Sequence, residues 1–196
     1  MQENKIFKQE RLFAFYRETD LYVSRLLIKL LTLPRSDRFT LRLWRHLADQ
    51  TRHASLWSEH LELLGTHNLP LDINTLCDKR PSPDQLDEPA YLLREIVMVE
   101  EFLLKSYQTL SALESLDTRT RDLIVRLIED EEWHLQSVRA KLKMVDVPVD
   151  ELSGDSGSRR FRTVEEELYD TLGQIASAPN HSPRVRSRGP GETGIP

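Results

Sequence analysis

Two five-residue segments lie 81 residues apart in a chain of 196, Asp49-Gln50-Thr51-Arg52-His53 and Asp130-Glu131-Glu132-Trp133-His134. Each carries an oxygen-bearing side chain three residues before a histidine, and residues three apart on an α-helix share one face. In the second segment that face is otherwise apolar, because Glu131 and His134 are in phase with Leu127 and Val138. Polar pairs recurring on the inner faces of two helices predict two similar helical hairpins arranged about a pseudo-two-fold axis.

The hydrophobic pattern supplies the hairpins. Phe13, Tyr16, Val23, Leu27 and Leu30 recur in three- and four-residue steps, so the spacing predicts an amphipathic helix from Lys5 to about Thr32, stopped by Pro34. Ser36 is placed to cap a second helix through Trp44, Leu47, Ala54, Leu61 and Leu64, with Gly65 as the C′ glycine. Residues 66–87 carry three prolines and little periodicity, a length that suits a crossover better than a turn between antiparallel neighbours. Asp87 as the cap, with Pro89 in the first turn, opens a third helix through Leu93, Ile96, Leu103 and Tyr107. Asp117 caps a fourth that runs by Ile124 and Leu142 to Val145. Thr163 with Glu166 forms a capping box for a short fifth helix ending near Ile175, and residues 177–196 read as a disordered tail. The expected organisation is a bundle over 1–147, a linker and short helix over 148–176, and the tail. Four long helices joined short, long, short make an all-α four-helix bundle with one crossover, the topology of ferritin-like folds.

Composition narrows the class. Hydrophobic residues at 39%, charged residues at 30% and a mean hydropathy of −0.49 describe a water-soluble helical chain. A net charge of −5 argues against a dedicated nucleic-acid binder, whose affinity rests on many cation to phosphate contacts. The single cysteine, Cys77, excludes an internal disulfide, and the opening MQENKIFKQER lacks the apolar run of a signal peptide. The longest apolar stretch, from Leu26 to Leu33, is interrupted by Lys29, well short of the ~20 residues a membrane span requires. A cytoplasmic location is expected.

An inward Glu-x-x-His offers a carboxylate oxygen and an imidazole nitrogen to one metal ion, a donor set suited to iron or manganese. Equivalence of the first and third helices would then pair an inward acid on each. Glu100, in phase with Ile96, Leu103 and Tyr107, is the third-helix candidate. On the first helix, hydrophobic phase favours Asp20, whereas the repeat favours Glu18, which lies 82 residues before Glu100. The repeat argument selects Glu18.

These residues resemble the ferritin-like, rubrerythrin-type di-iron carboxylate proteins over roughly residues 5 to 145. The resemblance implies a ligand set of Glu18, His53, Glu100, Glu131 and His134, with Gln50 standing where the family carries a glutamate. It also implies that Asp49 and Asp130 orient the metal-bound histidines from behind. Tyr22 and Tyr107, four and seven residues past predicted ligands, are placed either to hydrogen-bond the ligand shell or to pack the core. The implied cofactor is a pair of iron ions, with manganese as the alternative, and the implied activity is O₂- or peroxide-dependent redox chemistry. Oxidase, peroxidase and hydroxylase reactions, including hydroxylation of a tRNA, share these ligands. Without a Cys-x-x-Cys module, such an enzyme needs an external electron donor.

Gln50 weakens that set, since a neutral amide replaces one of four carboxylates. The competing expectation is therefore a metal-free or weakly metallated bundle acting as an interaction module, for example a homodimer through the first two helices. His46 and His60 read as partly exposed helix residues, His67 and His181 as loop residues, and Trp44, Trp57 and Trp133 as core packing.

Overall fold

Four long helices carry the chain, α1 Glu3–Thr32, α2 Asp37–Leu63, α3 Pro89–Ser111 and α4 Thr118–Met144, with a 3₁₀ turn at Gln85–Asp87 before α3. The computed structural model describes residues 3–33, 37–66, 84–144, 170 and 173, and no strand occurs among them. Residues 67–83 of the expected crossover, and all of the expected fifth helix and tail except Asp170 and Gly173, lie outside the described residues, as do Cys77, His67 and His181. No described helix is long and apolar enough to cross a membrane.

The inner faces follow from the 3.6-residue period. On α1 the fully buried apolar side chains are Phe13, Ala14, Tyr16, Val23 and Leu27, and on α3 they are Leu92, Ile96, Val99, Leu103, Tyr107 and Leu110. These stripes meet in one core, to which α4 adds Ile124, Leu127 and Leu142. Contacts between helices set their directions. α1 ends at Thr32 and α2 begins at Asp37, and Phe13 stacks on Trp57 at a similar distance from that junction on either side, so α1 and α2 are antiparallel. The hydroxyls of Tyr16 and Ser106 lie 2.5 Å apart and Tyr22 reaches Glu95, so α1 and α3 are antiparallel too. Gln50 meets Glu131 while His60 meets Thr120, which makes α2 and α4 antiparallel. It follows that α2 and α3 run in the same direction.

Helix ends are built by specific residues. Gly65 adopts φ +80°, and the bonds Gly65 N–H to Glu62 O at 2.9 Å and Thr66 N–H to Leu61 O at 3.0 Å complete a Schellman motif. Only glycine takes that left-handed conformation without steric cost. At α3 the expectation of Asp87 as cap is corrected. Glu88 occupies the N-cap position with extended backbone and no side-chain bond, Pro89 follows inside the first turn, and Asp87 instead pairs with Lys29 at 2.6 Å. At α4 Asp117 is the cap, its Oδ1 accepting from Thr120 N–H at 2.9 Å. Its Oδ2 accepts the Thr120 hydroxyl proton at 2.5 Å, which leaves Thr120 Oγ1 as acceptor for His60 Nε2–H at 2.9 Å. Asp117→Ala removes the cap and strands this relay, and is expected to cost about 1–2 kcal/mol, read as a lowered urea midpoint.

Two further readings are corrected by helix phase. Trp44 is 56% exposed rather than in the core, because it sits one residue, hence about 100°, away from buried Leu43. Trp57 is fully buried, and Trp133 is half-buried beneath the Arg45 guanidinium, 4.3 Å above its ring. His60 is buried and hydrogen-bonded, not partly exposed.

Candidate metal centre

Midway along the bundle, all four helices turn titratable side chains into the core. Asp20 comes from α1, His46 and His53 from α2, Glu100 from α3, and Glu131 and His134 from α4, all of them buried. Their ligand-type atoms form two groups, Asp20 with His53 and Glu131, and His46 with Glu100 and His134, each lying within 4.8 Å.

Of the sequence-predicted ligands, the structure brings Gln50, His53, Glu100, Glu131 and His134 together in this region and leaves Glu18 outside it. Glu18 is partly exposed and paired with Arg17 at 2.9 Å. The inward acid is Asp20, in phase with Phe13, Tyr16, Val23 and Leu27, all of them 0% exposed like Asp20 itself. Residues 18 and 20 are about 200° apart around a helix, so only one of them can face the core. The apolar stripe decided which one, and the repeat spacing did not. His46, read from sequence as partly exposed, is 2% exposed and stacked on His134 with ring centroids 3.9 Å apart. The signal for it was available, since His46 lies seven residues before His53 in phase with Leu43, Gln50 and Trp57.

Glu131 is the hub. Its Oε1 accepts from Gln50 Nε2 at 3.0 Å and lies 3.2 Å from His53 Nδ1, while its Oε2 is 3.6 Å from His134 Nδ1. Burial opposes its charge, but these two imidazoles outweigh that penalty and hold its pKa at about 2. Burial likewise opposes charge on His134, yet the carboxylates of Glu131, Glu100 and Asp49 raise its pKa overall. Asp20 and Glu100 accept no hydrogen bond, and on Glu100 the pull of His134 and His53 is outweighed. Burial first, and then repulsion from neighbouring carboxylates, pushes both well above the ordinary range. Burial also drives His46 well below its ordinary value, helped by the nearby His134.

The aspartates preceding each histidine act across the helix pair. His53 Nε2 lies 3.1 Å from Asp130 Oδ2 of α4, and His134 Nε2 lies 3.3 Å from Asp49 Oδ2 of α2. Each helix thus supplies the carboxylate that orients the other's imidazole, and both Nδ1 atoms face inward toward Glu131. Arg52 Nη2 ties the aspartates together, at 2.8 Å from Asp130 and 3.2 Å from Asp49. Tyr107 packs beside the carboxylates and accepts from Trp57 Nε1–H at 3.2 Å. Tyr22 has a different partner, donating to Glu95 Oε1 at 2.8 Å, so it lies outside the ligand shell.

Among the described residues, eight buried side-chain nitrogen or oxygen atoms lack a hydrogen-bond partner, and seven of them belong to this cluster. They are both carboxylate oxygens of Asp20 and of Glu100, Glu131 Oε2, Gln50 Oε1 and His46 Nε2. His46 Nε2 lies against Glu100 Oε1 without the alignment of a hydrogen bond. Buried acceptors of this kind are costly unless a cation or donor satisfies them. Oxygen and imidazole donors converging in one buried cluster fit a divalent transition metal, which would displace the protons that Asp20 and Glu100 hold. Comparison of the chain with family models, curated proteins and solved structures yields no match.

Proposed function

We propose that the chain is a ferritin-like di-metal protein whose bundle core binds two divalent ions, iron with manganese as the alternative. The observation that carries this reading is the concentration of unpartnered buried acceptors at one level of the bundle, on Asp20, His46, Gln50, Glu100 and Glu131. The shared direction of α2 and α3 supports the ferritin-like topology, because parallel neighbours in sequence need a connection long enough to return along the bundle. Asp20, His53, Glu100, Glu131, His134 and His46 are the proposed ligands.

When bound, such ions supply electrons to O₂ or peroxide. The chain's own residues do the rest. Asp49 and Asp130 hold the far imidazole nitrogens so that both Nδ1 atoms point inward. Phe13, Tyr16, Trp57 and Tyr107 stack into an aromatic wall that keeps water from one end of the site. Arg52 offsets the charge of the two outer aspartates. The proposed enzyme takes its electrons from a separate donor, since its sequence holds one cysteine and hence no dithiol relay.

Metal analysis of protein purified without chelator, and again after anaerobic ferrous loading, tests this reading. About two ions per chain supports it. No bound ion after loading overturns it in favour of a metal-free interaction module. One observation favours that second reading, namely that Gln50 Nε2 and His53 already satisfy one oxygen of Glu131. Asp130→Asn supplies a further check. Weakening the carboxylate behind His53 is expected to lower metal affinity about 10- to 100-fold, as measured by competition with a chromophoric chelator.

A further inference from the structure

The six inward ligand-type residues do not make a symmetric set. Asp20, His53 and Glu131 offer two carboxylates and one imidazole, whereas His46, Glu100 and His134 offer one carboxylate and two imidazoles. His46 creates the difference. Its ring is stacked on His134 at 3.9 Å, it is 2% exposed, and its Nε2 faces Glu100 with no hydrogen-bond partner. The 81-residue repeat gives it no counterpart, because the equivalent position on α4 is Leu127 in the apolar core. Both oxygens of Glu100 are buried and unpartnered as well, so this second group points to a ligand independently of the first.

We propose that the core discriminates between two unlike divalent cations, in which His46 makes the His46/Glu100/His134 position take the more nitrogen-seeking ion, with zinc as its probe, while the Asp20/His53/Glu131 position retains manganese. The inference rests on the reading that the core binds metal. The physical basis is donor type. Imidazole nitrogen favours zinc over manganese more strongly than carboxylate oxygen does, and the position with two carboxylates gives a hard cation the greater charge compensation. A mixed solution therefore fills the two positions with different ions rather than with two copies of one.

The test uses full-length protein stripped with chelator and loaded with Mn(II). It is then titrated with Zn(II), and released manganese is followed by electron paramagnetic resonance. Wild-type protein is expected to release its first manganese at about one equivalent of zinc and its second only at a zinc concentration at least about 10-fold higher. His46→Phe keeps a ring to stack on His134 but removes the donor nitrogen. It should lose the first step and keep the second. Asp20→Asn, on the other group, should lose the second and keep the first, and circular dichroism checks that both variants fold. Coincident release of both ions, or a His46→Phe variant that retains both steps, overturns the inference while leaving the metal reading intact. Wild-type protein that binds neither ion overturns the reading and the inference together.

Discussion

Metal-free protein carrying Glu131→Gln is expected to unfold with about 3 kcal/mol less stability at neutral pH, the scale for breaking a buried charge pair. Metal-free protein carrying Glu100→Gln is expected to gain roughly 1–3 kcal/mol. Both residues are 0% exposed acids on inner helix faces, yet their surroundings are opposite. Glu131 is ionised between His53 and His134 and accepts from Gln50, so an amide there dissolves a charge pairing in the core. Glu100 has two unpartnered oxygens, and burial with repulsion from Glu131 outweighs the pull of His134 and His53, so its protonated form is favoured and a neutral amide removes a standing penalty. Both variants should lose metal, because both remove a carboxylate donor. Urea denaturation and metal stoichiometry on the same samples separate the two effects. Shifts of stability in the same direction would show that the charge assignment of Glu131 and Glu100 is wrong.

The pH profile of the metal-free protein is the second large expectation: greatest stability below neutral pH, lost both as pH rises above 6.5 and as it falls into the acid range. Asp20 and Glu100 are raised in the folded state, chiefly by burial, so each contributes stability below its ordinary value that is lost as pH rises toward its folded one. His46 and His60 are lowered, again chiefly by burial, so each contributes stability above 6.5 that is lost as pH falls. Between about 4.5 and 6.5 these two pairs act in opposite directions. Above 6.5 the histidine pair is spent, and the raised His134 joins Asp20 and Glu100. Each group still titrating then costs about 1.4 kcal/mol per pH unit. On the acid side Glu131, held at about 2, and the lowered Asp130 lose their contribution together with the histidines. Metal loading should reverse the neutral limb, because a cation replaces the protons on Asp20 and Glu100, so stability should rise from pH 6.5 to 7.5. Urea midpoints at pH 5.5, 6.5 and 7.5 with and without metal measure this. A metal-free protein that grows more stable from 6.5 to 7.5 would contradict it.

The helices and their inner faces were legible because burial imposes a period that composition cannot disguise. The stripe through Phe13, Tyr16, Val23 and Leu27, the Gly65 terminus and the Asp117 cap all follow from neighbours within a few residues. The same local signal pointed to Asp20, and setting it aside for the repeat misplaced the α1 acid on Glu18. A repeat records similarity between segments, whereas the apolar phase records which side of a helix is dry. His46 was misread for the opposite reason. Histidine is common on both surfaces and interiors, and the residue that stacks on it, His134, is 88 positions away in sequence.

By itself, the sequence determined the four amphipathic helices, their approximate ends, and the inward positions of Gln50, His53, Glu100, Glu131 and His134, since all of these depend on contacts spaced by three or four residues. Only the tertiary structure decided how those groups combine. That Asp49 serves His134 and Asp130 serves His53, that Glu131 is ionised while Glu100 and Asp20 lack partners, and that Tyr22 turns to Glu95 are consequences of the register between helices. Register is set by the packing of whole apolar stripes against one another. A shift of one helical turn, about 5.4 Å, would leave every local pattern unchanged and exchange every partner in the core.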